Sequence, residues 1–556
     1  MNMTRALPIG VQDFKEIREK NRLYVDKTDM ISQILSERTE CYLFLRPRRF
    51  GKSLNLSMLD AFFNIKYPKD NKWFDGLKIS ECEECQEHKN AYPVIYFDFK
   101  DLGAESYESF IIKLKKKFSD LYSQYEYLIT STALDETDIE YFTDVFKRTV
   151  DDWKLGYCLS NLSGMLYKHH NKKVIILLDE YDNPIHYVND KNLQNDITDV
   201  IKGMLSRALK GNESLTFGVI MGIMQIDKNS IFSGLNNIKV NNMFSSKYGE
   251  IFGFTVDEVK AICEECGHSE KYSEAKGWYD GYRFGKAEVC NPWDILNYID
   301  EGFKPQPYWA RTSGNSIIDM LLECADEWVV EELMKLSQGK SIKKSIDSTI
   351  TFEELNGIPR DIYSVMAMSG YLTVVPSEFG YEVRIPNGEL YQVFGDQIAK
   401  YVSRKYGHYN VISKSREFSD VIVNNDSEAL ENVLYQLFAS TLSTAILEHE
   451  HACQLVMAML LMNLSGKYSI RIERENEKGR LDFILEPKVQ TSPYVVIELK
   501  RLGQDESESK LLTAAEDALK QIREKDYIFG MKGRIFMYGI AFKGMEAKVV
   551  SETMAG

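Results

Sequence analysis

The sequence has little of what places a chain in a membrane, outside the cell or along bulk nucleic acid. No apolar run reaches the roughly 18 residues that a spanning helix needs. The longest candidate, Leu455 to Leu464 (LVMAMLLMNL), is too short, which predicts no membrane partner. No apolar stretch follows the basic residue of the N-terminal MNMTRALPIGVQDF, so no signal peptide is predicted. Cysteine is sparse and odd in number, nine in 556 residues, which excludes a disulfide framework and points to a reducing, cytoplasmic setting. Proline is scarce at 13, so there is no long Pro-rich linker, and neither an internal repeat nor a low-complexity tract is present. Basic excess is lacking too. Lys plus Arg is 68 against 83 Asp plus Glu, a net charge of −15, which argues against histone-like coating of nucleic acid. A local basic groove is compatible with that balance.

Apolar material is ample. Hydrophobic residues are 44% and aromatics 12%, enough for sizeable cores. At about 100–200 residues each, roughly three or four domains are expected. Two CEEC pairs, Cys82/Cys85 near His88 and Cys263/Cys266 near His268, could each be half of a zinc site. Their extra carboxylates and wide separation favour ordinary semi-buried or surface thiols instead.

Residues 41–254 alternate between strand and helix patterns. Apolar runs stand at Cys41–Leu45 (CYLFL), Tyr92–Phe99 (YPVIYFDF), Val174–Leu178 (VIILL) and Leu215–Gly222 (LTFGVIMG). Runs apolar on both faces are the mark of central parallel strands, so a doubly wound α/β sheet is predicted. From Phe254 to Asp361 the pattern is mostly helical, and Thr255 with Glu258 forms a capping box at one helix start. Strand-like pieces follow near Tyr371–Val375 and Tyr381–Ile385, then helical spacing over Asp420–Leu464. The last part alternates at Tyr468–Glu473, Arg480–Leu485 and Tyr494–Leu499. A helix over Leu511–Lys525 and a last strand at Arg534–Phe542 complete a small mixed sheet.

Residues 46–53 read RPRRFGKS. Gly51, Lys52 and Ser53 match the end of a P-loop, while Arg46 stands where its first glycine belongs. An apolar strand leads in and an amphipathic helix leads out. That context aims backbone N–H groups of Phe50, Gly51 and Leu54 at phosphate, Lys52 at the β- and γ-phosphates, and the Ser53 hydroxyl at Mg²⁺. Arg48 and Arg49 add positive charge beside the nucleotide. Downstream, VIILLDEYD ends a central strand in Asp179 and Glu180, where ligands sit in open α/β sheets. Asp179 suits Mg²⁺ through water, and Glu180 suits orientation of an attacking water. Gln225, just past the fourth strand, is placed to sense the γ-phosphate, or is merely a turn residue.

A second constellation lies near the end. Asp482 sits on one short strand, and Glu498 and Lys500 share one face of the next. Two carboxylates meeting on a sheet face repel unless a cation neutralises them, so a Mg²⁺ or Mn²⁺ site follows. Such a metal lowers the pKa of bound water, and Lys500 positions that water or meets the charged transition state. Glu475 is an added candidate ligand, Arg480 a phosphate contact, and Gln521 a partner of the metal-bound water or the DNA. The bland alternative is charge pairing across an exposed strand face. His451, Glu448 and Glu450 on the EHEHACQL helix read as surface or structural residues before they read as ligands.

The chain resembles bacterial AAA-ATPase-like proteins that carry a C-terminal PD-(D/E)XK nuclease domain. The resemblance rests on YVDKT (24–28), RPRRFGKSL (46–54), LLDEYDNPI (177–185), IFSGLNN (231–237), FGFT (252–255), WYDGYRFG (278–285), NPW (291–293), and GRLD with IELK near the end. It implies an AAA-type P-loop ATPase over 1–254, a mainly helical middle or lid region over 255–415, and a restriction-endonuclease-like α/β domain over 416–556. Arg46 is normal for that family, whereas Gln225 stands where it usually has Arg. The expectation is an ATP-dependent or ATP-regulated, metal-dependent nuclease acting on nucleic acid, DNA before RNA. The rival is a nucleotide-binding switch or scaffold with a weak nuclease-like domain. A transport or signalling ATPase lacks any membrane feature. No arginine supplied by a neighbour can be nominated, and a homo-oligomer stays open.

Overall fold

The computed structural model describes residues 5–185, 188, 190–225, 238–309, 332, 335–336, 339–348, 362–378, 380–406, 411–441, 457, 460–461, 464, 467–471, 483–488, 492–503, 506–507, 509–524, 531–544 and 546–555. The chain forms two compact units. The first gathers Met1–Ser273, Asp280–Lys304 and Ile346–Gly370; the second gathers Glu274–Tyr279, Pro305–Ser345 and Tyr371–Gly556. The middle region thus contributes to both. No helix among the described residues is long and apolar enough to cross a membrane.

The first unit is built on five parallel strands: β1 (Cys41–Leu45), β2 (Val94–Asp98), β3 (Val174–Asp179), β4 (Leu215–Gly222) and β5 (Ile238–Asn241). Their order is β2-β3-β4-β1-β5, so β4 lies between the strand that precedes the glycine–lysine turn and the strand that ends in Asp179. All residues of β1 and β3 are buried, which is why each is a continuous apolar run. Helix α1 (Lys52–Phe63) follows β1. β5 was not expected, because IKVN is short and partly exposed at the sheet edge.

The segment after residue 254 is less helical than its pattern suggested. Phe254–Thr255, Tyr282–Phe284 and Ala287–Cys290 (β6, β7, β8) form a small antiparallel sheet in the order β6-β8-β7. Thr255 does start a helix, α2 (Val256–Glu265): its N–H donates to Glu258 at 2.7 Å and its hydroxyl accepts from the Glu258 N–H at 3.3 Å. Helix α3 (Pro292–Asp300) begins at the NPW motif, with Asn291 as its N-cap and proline at the first turn. Cys82 and Cys85 are joined in a disulfide, which corrects the expectation of ordinary thiols there. Their Cα atoms lie 5.3 Å apart at the start of the short helix Glu83–Gln86, within bridging reach. Cys263 and Cys266 are free and buried.

In the second unit, β9 (Ile342–Lys344), β10 (Thr373–Ser377) and β11 (Gly380–Arg384) form an antiparallel trio. The helical stretch that begins near Asp420 contains two helices, Val411–Val423 and Ser427–Thr441, parted at Asn425, which has φ 57°. The last sheet runs β12 (Tyr468–Arg471), β13 (Phe483–Pro487), β14 (Tyr494–Arg501), β15 (Arg534–Lys543) and β16 (Glu546–Ala555). β14 and β15 are parallel, joined by helix α4 (Lys510–Glu524), and the other pairs are antiparallel. β16 is one strand more than expected, because EAKVVSETMA is polar and half exposed. Phe483, Leu485, Val495, Ile497 and Tyr538 pack one sheet face against Phe418, Ile422, Leu430 and Leu434. Ile484, Val496 and Met537 meet Leu519 and Ile522 of α4 on the other face.

Candidate active sites

Between β1 and α1 the backbone makes a tight turn. Arg49 and Gly51 take φ 69° and 83°, the left-handed region, and no side chain caps the helix that starts at Lys52. The N-terminal N–H groups of α1 are therefore presented to a ligand, and the helix dipole favours an anion there. A lysine in that first turn opposes the dipole, a cost that suits a site built for phosphate. Lys52 is 9% exposed, and its ammonium donates to the carbonyls of Arg46 (2.9 Å) and Pro47 (2.8 Å). Burial pulls it down to about 8, against the attraction of Asp182, Asp179 and Glu180.

Arg46 is no phosphate ligand. It is fully buried, donates to the carbonyls of Leu45 (2.8 Å) and Asn241 (2.9 Å), and lies between the rings of Phe252 (4.9 Å) and Phe284 (5.0 Å). Burial lowers its guanidinium to about 9. Phe50 is buried edge-on to Tyr282 and Phe284, each at 5.0 Å. Gly253 donates its N–H to the Phe50 carbonyl at 3.2 Å, and a Cβ there would lie 3.1 Å from the Phe50 ring. Arg49 rests over Trp293 of the NPW motif at 4.1 Å. The aromatic motifs of the middle region thus wall the loop. Lys27, from YVDKT, ties α2 down through Glu258, both carboxylate oxygens at 2.7 Å.

Across the sheet end, Ser53 hydrogen-bonds Asp179. Asp179 is 3% exposed, and burial pushes its carboxyl up to about 6 despite Ser53 and Lys52. Tyr96 on β2 reaches the same carboxylate at 3.4 Å, and Asp98 pairs with Asp179 in register. Glu180 turns the chain at φ 49°, and its carboxylate accepts from Asn183 at 3.0 Å. Gln225 is 7% exposed and stands three residues past Gly222, the end of β4. Lys52, Ser53, Asp179 and Glu180 thus lie near one another at this end of the sheet.

In the last sheet, alternation along β14 sets Val496, Glu498 and Lys500 on the face covered by α4. Glu498 is 2% exposed. Lys500 bridges it to the helix, with Nζ 3.3 Å from Glu498 and 2.5 Å from Gln521. The helix comes this close because Gly539, paired with Glu498, has no side chain: a Cβ there would lie 2.1 Å from the Ala515 carbonyl oxygen. β13 enters beside this point, with Phe483 paired to Ile497. Asp482, Arg480 and Glu475 lie outside the described residues, as do His451, Glu448, Glu450 and the IFSGLNN segment. Among the described residues, no three His, Cys, Asp or Glu side chains converge as a metal-holding group.

Two family models match separate parts of the chain. Residues 8–232 match the AAA-ATPase-like family, described as Predicted AAA-ATPase, and residues 448–552 match the PD-(D/E)XK nuclease superfamily. The chain joins an AAA-ATPase-like region to a PD-(D/E)XK nuclease region. It is a nucleotide-binding, nuclease-like protein. A protein of Azotobacter chroococcum mcd 1, described as "Uncharacterized protein in vnfD 5'region", is 24% identical over 566 residues, 98% of each chain. The residues of the first site from Lys52 to Gln225 fall in the first matched segment, and Glu498, Lys500, Gln521 and Gly539 fall in the second. Gln521 was read from the sequence; Gly539, Tyr96, Asp98, Asp182, Asn183 and Trp293 were not. Trp293 had a signal, since NPW was recognised as a motif. Tyr96 and Asp98 had one only in hindsight, as polar positions within the otherwise apolar YPVIYFDF run.

Proposed function

We propose that the protein binds and hydrolyses ATP with Mg²⁺ in its first unit and that the nucleotide state regulates metal-dependent phosphodiester cleavage in its second, on DNA before RNA. The observation that carries the first half is the Ser53–Asp179 hydrogen bond beside the Lys52 turn, which gathers two hard oxygen donors suited to Mg²⁺. A buried carboxyl raised to about 6 is also one that a bound cation would stabilise as the anion. The metal, when bound, offsets phosphate charge. Lys52 moves from the loop carbonyls to the β- and γ-phosphates, the N–H groups of α1 hold phosphate oxygens, and Arg48 and Arg49 add charge from the rim. Glu180 leaves Asn183 to orient the attacking water, and Gln225 meets the γ-phosphate.

In the second unit, Glu498 and Asp482 are the proposed ligands of Mg²⁺ or Mn²⁺, with Glu475 as a further one. The buried carboxylate of Glu498 on a sheet face fits such an ion. Lys500, held by Gln521, orients the water or meets the charge that develops on phosphate, and Arg480 contacts the substrate. The reading keeps three functional segments, 1–254, 255–415 and 416–556, in a cytoplasmic protein, with a homo-oligomer open. Incubation of purified protein with labelled DNA and RNA, with and without ATP and Mg²⁺ or Mn²⁺, tests it. Cleavage that requires Glu498 and responds to ATP through Glu180 supports the proposal. No cutting under any combination returns the switch or scaffold, which the uncharged Gln225 favours.

A further inference from the structure

We propose that Tyr181 and Asp182 are positioning residues that clasp the end of β4, and so fix Gln225 relative to the turn that carries Glu180. The proposal rests on the hydrolytic reading above and deepens it.

Asp182 is 2% exposed. One of its carboxylate oxygens accepts from the backbone N–H groups of Ile223 (2.7 Å) and Met224 (3.0 Å). The Tyr181 hydroxyl donates to the Met224 carbonyl at 2.8 Å, and the Tyr181 N–H donates to Met221 at 3.2 Å. These bonds begin where the sheet ladder stops. The last β3 partner of β4 is Ile220, opposite Leu178, and the last β1 partner is Gly222, opposite Leu45. Beyond Gly222 the backbone leading to Gln225 is held by the two side chains that follow Glu180.

Gly222 is part of the clasp. A Cβ there would stand 2.5 Å from the Tyr181 ring and 2.9 Å from Asp182. Only a residue without a side chain lets the ring lie flat against the strand end. Asp182 has a second role. Burial is the largest influence on the Lys52 ammonium, and Asp182 is the strongest of the carboxylates that counter it. One buried acid therefore touches the strand end before Gln225 and faces the phosphate lysine. Two N–H groups donating to one carboxylate oxygen make charge-assisted bonds, stronger than neutral ones. A displacement of about 1 Å in a group that meets the reacting phosphate can cost about 100-fold in rate.

The test uses the full-length protein and two readouts. The first is amide hydrogen exchange. In Asp182→Ala, exchange at Ile223 and Met224 should rise by about tenfold or more while the Ile175–Leu178 amides keep their protection. The second is kinetics. Tyr181→Phe, which leaves the acid beside Lys52 in place, should lower kcat for ATP by about tenfold, with the Kd for ADP within about twofold of wild type. Added to Gln225→Ala, it should not lower kcat further, because it acts through that residue. Tyr181→Trp, which keeps a ring but not the hydroxyl, should fail to restore the rate. Unchanged exchange at Ile223 and Met224 overturns the clasp. A Tyr181→Phe loss that multiplies with that of Gln225→Ala overturns the route through Gln225. A wild-type protein that hydrolyses nothing sinks the hydrolytic reading instead, and the exchange result then decides the clasp alone.

Discussion

The two sites obey opposite rules of construction. In the first unit the functional groups sit at the ends of parallel strands, on turns that leave the sheet at Lys52, Asp179 and Gly222. In the second, Glu498 and Lys500 lie within a strand, on a face covered by a helix. Turn residues can change their bonds without disturbing a ladder. A strand-borne pair is set by register, and its geometry moves only if the sheet or helix moves. The proposed nucleotide site is thus arranged to adapt to what it binds, and the proposed cleavage site to hold still.

Substitutions can break that contrast. The largest effect is expected from Glu498→Ala, which should lower cleavage by about 10³-fold while ATP hydrolysis stays at the wild-type rate, measured on the same preparation. Loss of both activities together would mean that the two sites are not separable. Next comes Lys52→Ala, which removes charge-assisted bonds worth about 2–3 kcal/mol, so ATP should bind about 100-fold more weakly in equilibrium titration. Gly539→Ala tests the rigid half. With backbone atoms in the way, α4 must shift at a cost of about 1–3 kcal/mol, and cleavage should fall with nucleotide affinity intact. An unchanged melting profile and full cleavage would show that the helix is not held by that contact. Gln521→Ala frees Lys500 and should cost about tenfold in cleavage, with Gln521→Glu recovering part of it.

A pH series gives the smallest effect and sharpens the adaptable half. The Lys52 ammonium, brought from 10.5 to about 8 by burial, carries its charge below that value and loses it above. ATP affinity should be flat between about 6, where the Asp179 carboxyl titrates, and about 8, and fall by up to about tenfold per unit beyond it. A flat profile through that region would mean that Lys52 stays charged, or that it contributes little to binding.

The difference between the units also governs what could be read in advance. β1 and β4 stand at Cys41–Leu45 and Leu215–Gly222, where their apolar runs begin and end, because strands buried on both faces need unbroken runs. The P-loop and the strand-end acids were legible for the same reason: turn chemistry and strand ends leave marks in adjacent residues. β5 and β16 left none, being edge strands with polar faces. Three short strands hid inside a segment whose pattern looked helical, because two to four residues are too few to show a period of two. Glu498 and Lys500 were legible on one strand face and Gln521 as a candidate on the next helix, though its bond to Lys500 was not foreseen. Gly539 was not, since a glycine inside RIFMYGIAF announces a close approach without saying what approaches. Asp182 was hidden by its neighbours: in DEYD, the first two acids explained the motif and the last one had no evident task.

Arg46 carries a consequence for how the molecule can be divided. Its charge is enclosed by Phe252 on one side and Phe284 on the other, and the second ring arrives some thirty residues beyond the point where the ATPase-like pattern ends. A gene fragment stopped at residue 254 would encode the nucleotide turn but leave this cation with half its shelter. A piece meant to keep the surroundings of the nucleotide-site turn intact should therefore extend past Phe284, and a graft of the front segment onto another tail should bring that hairpin along.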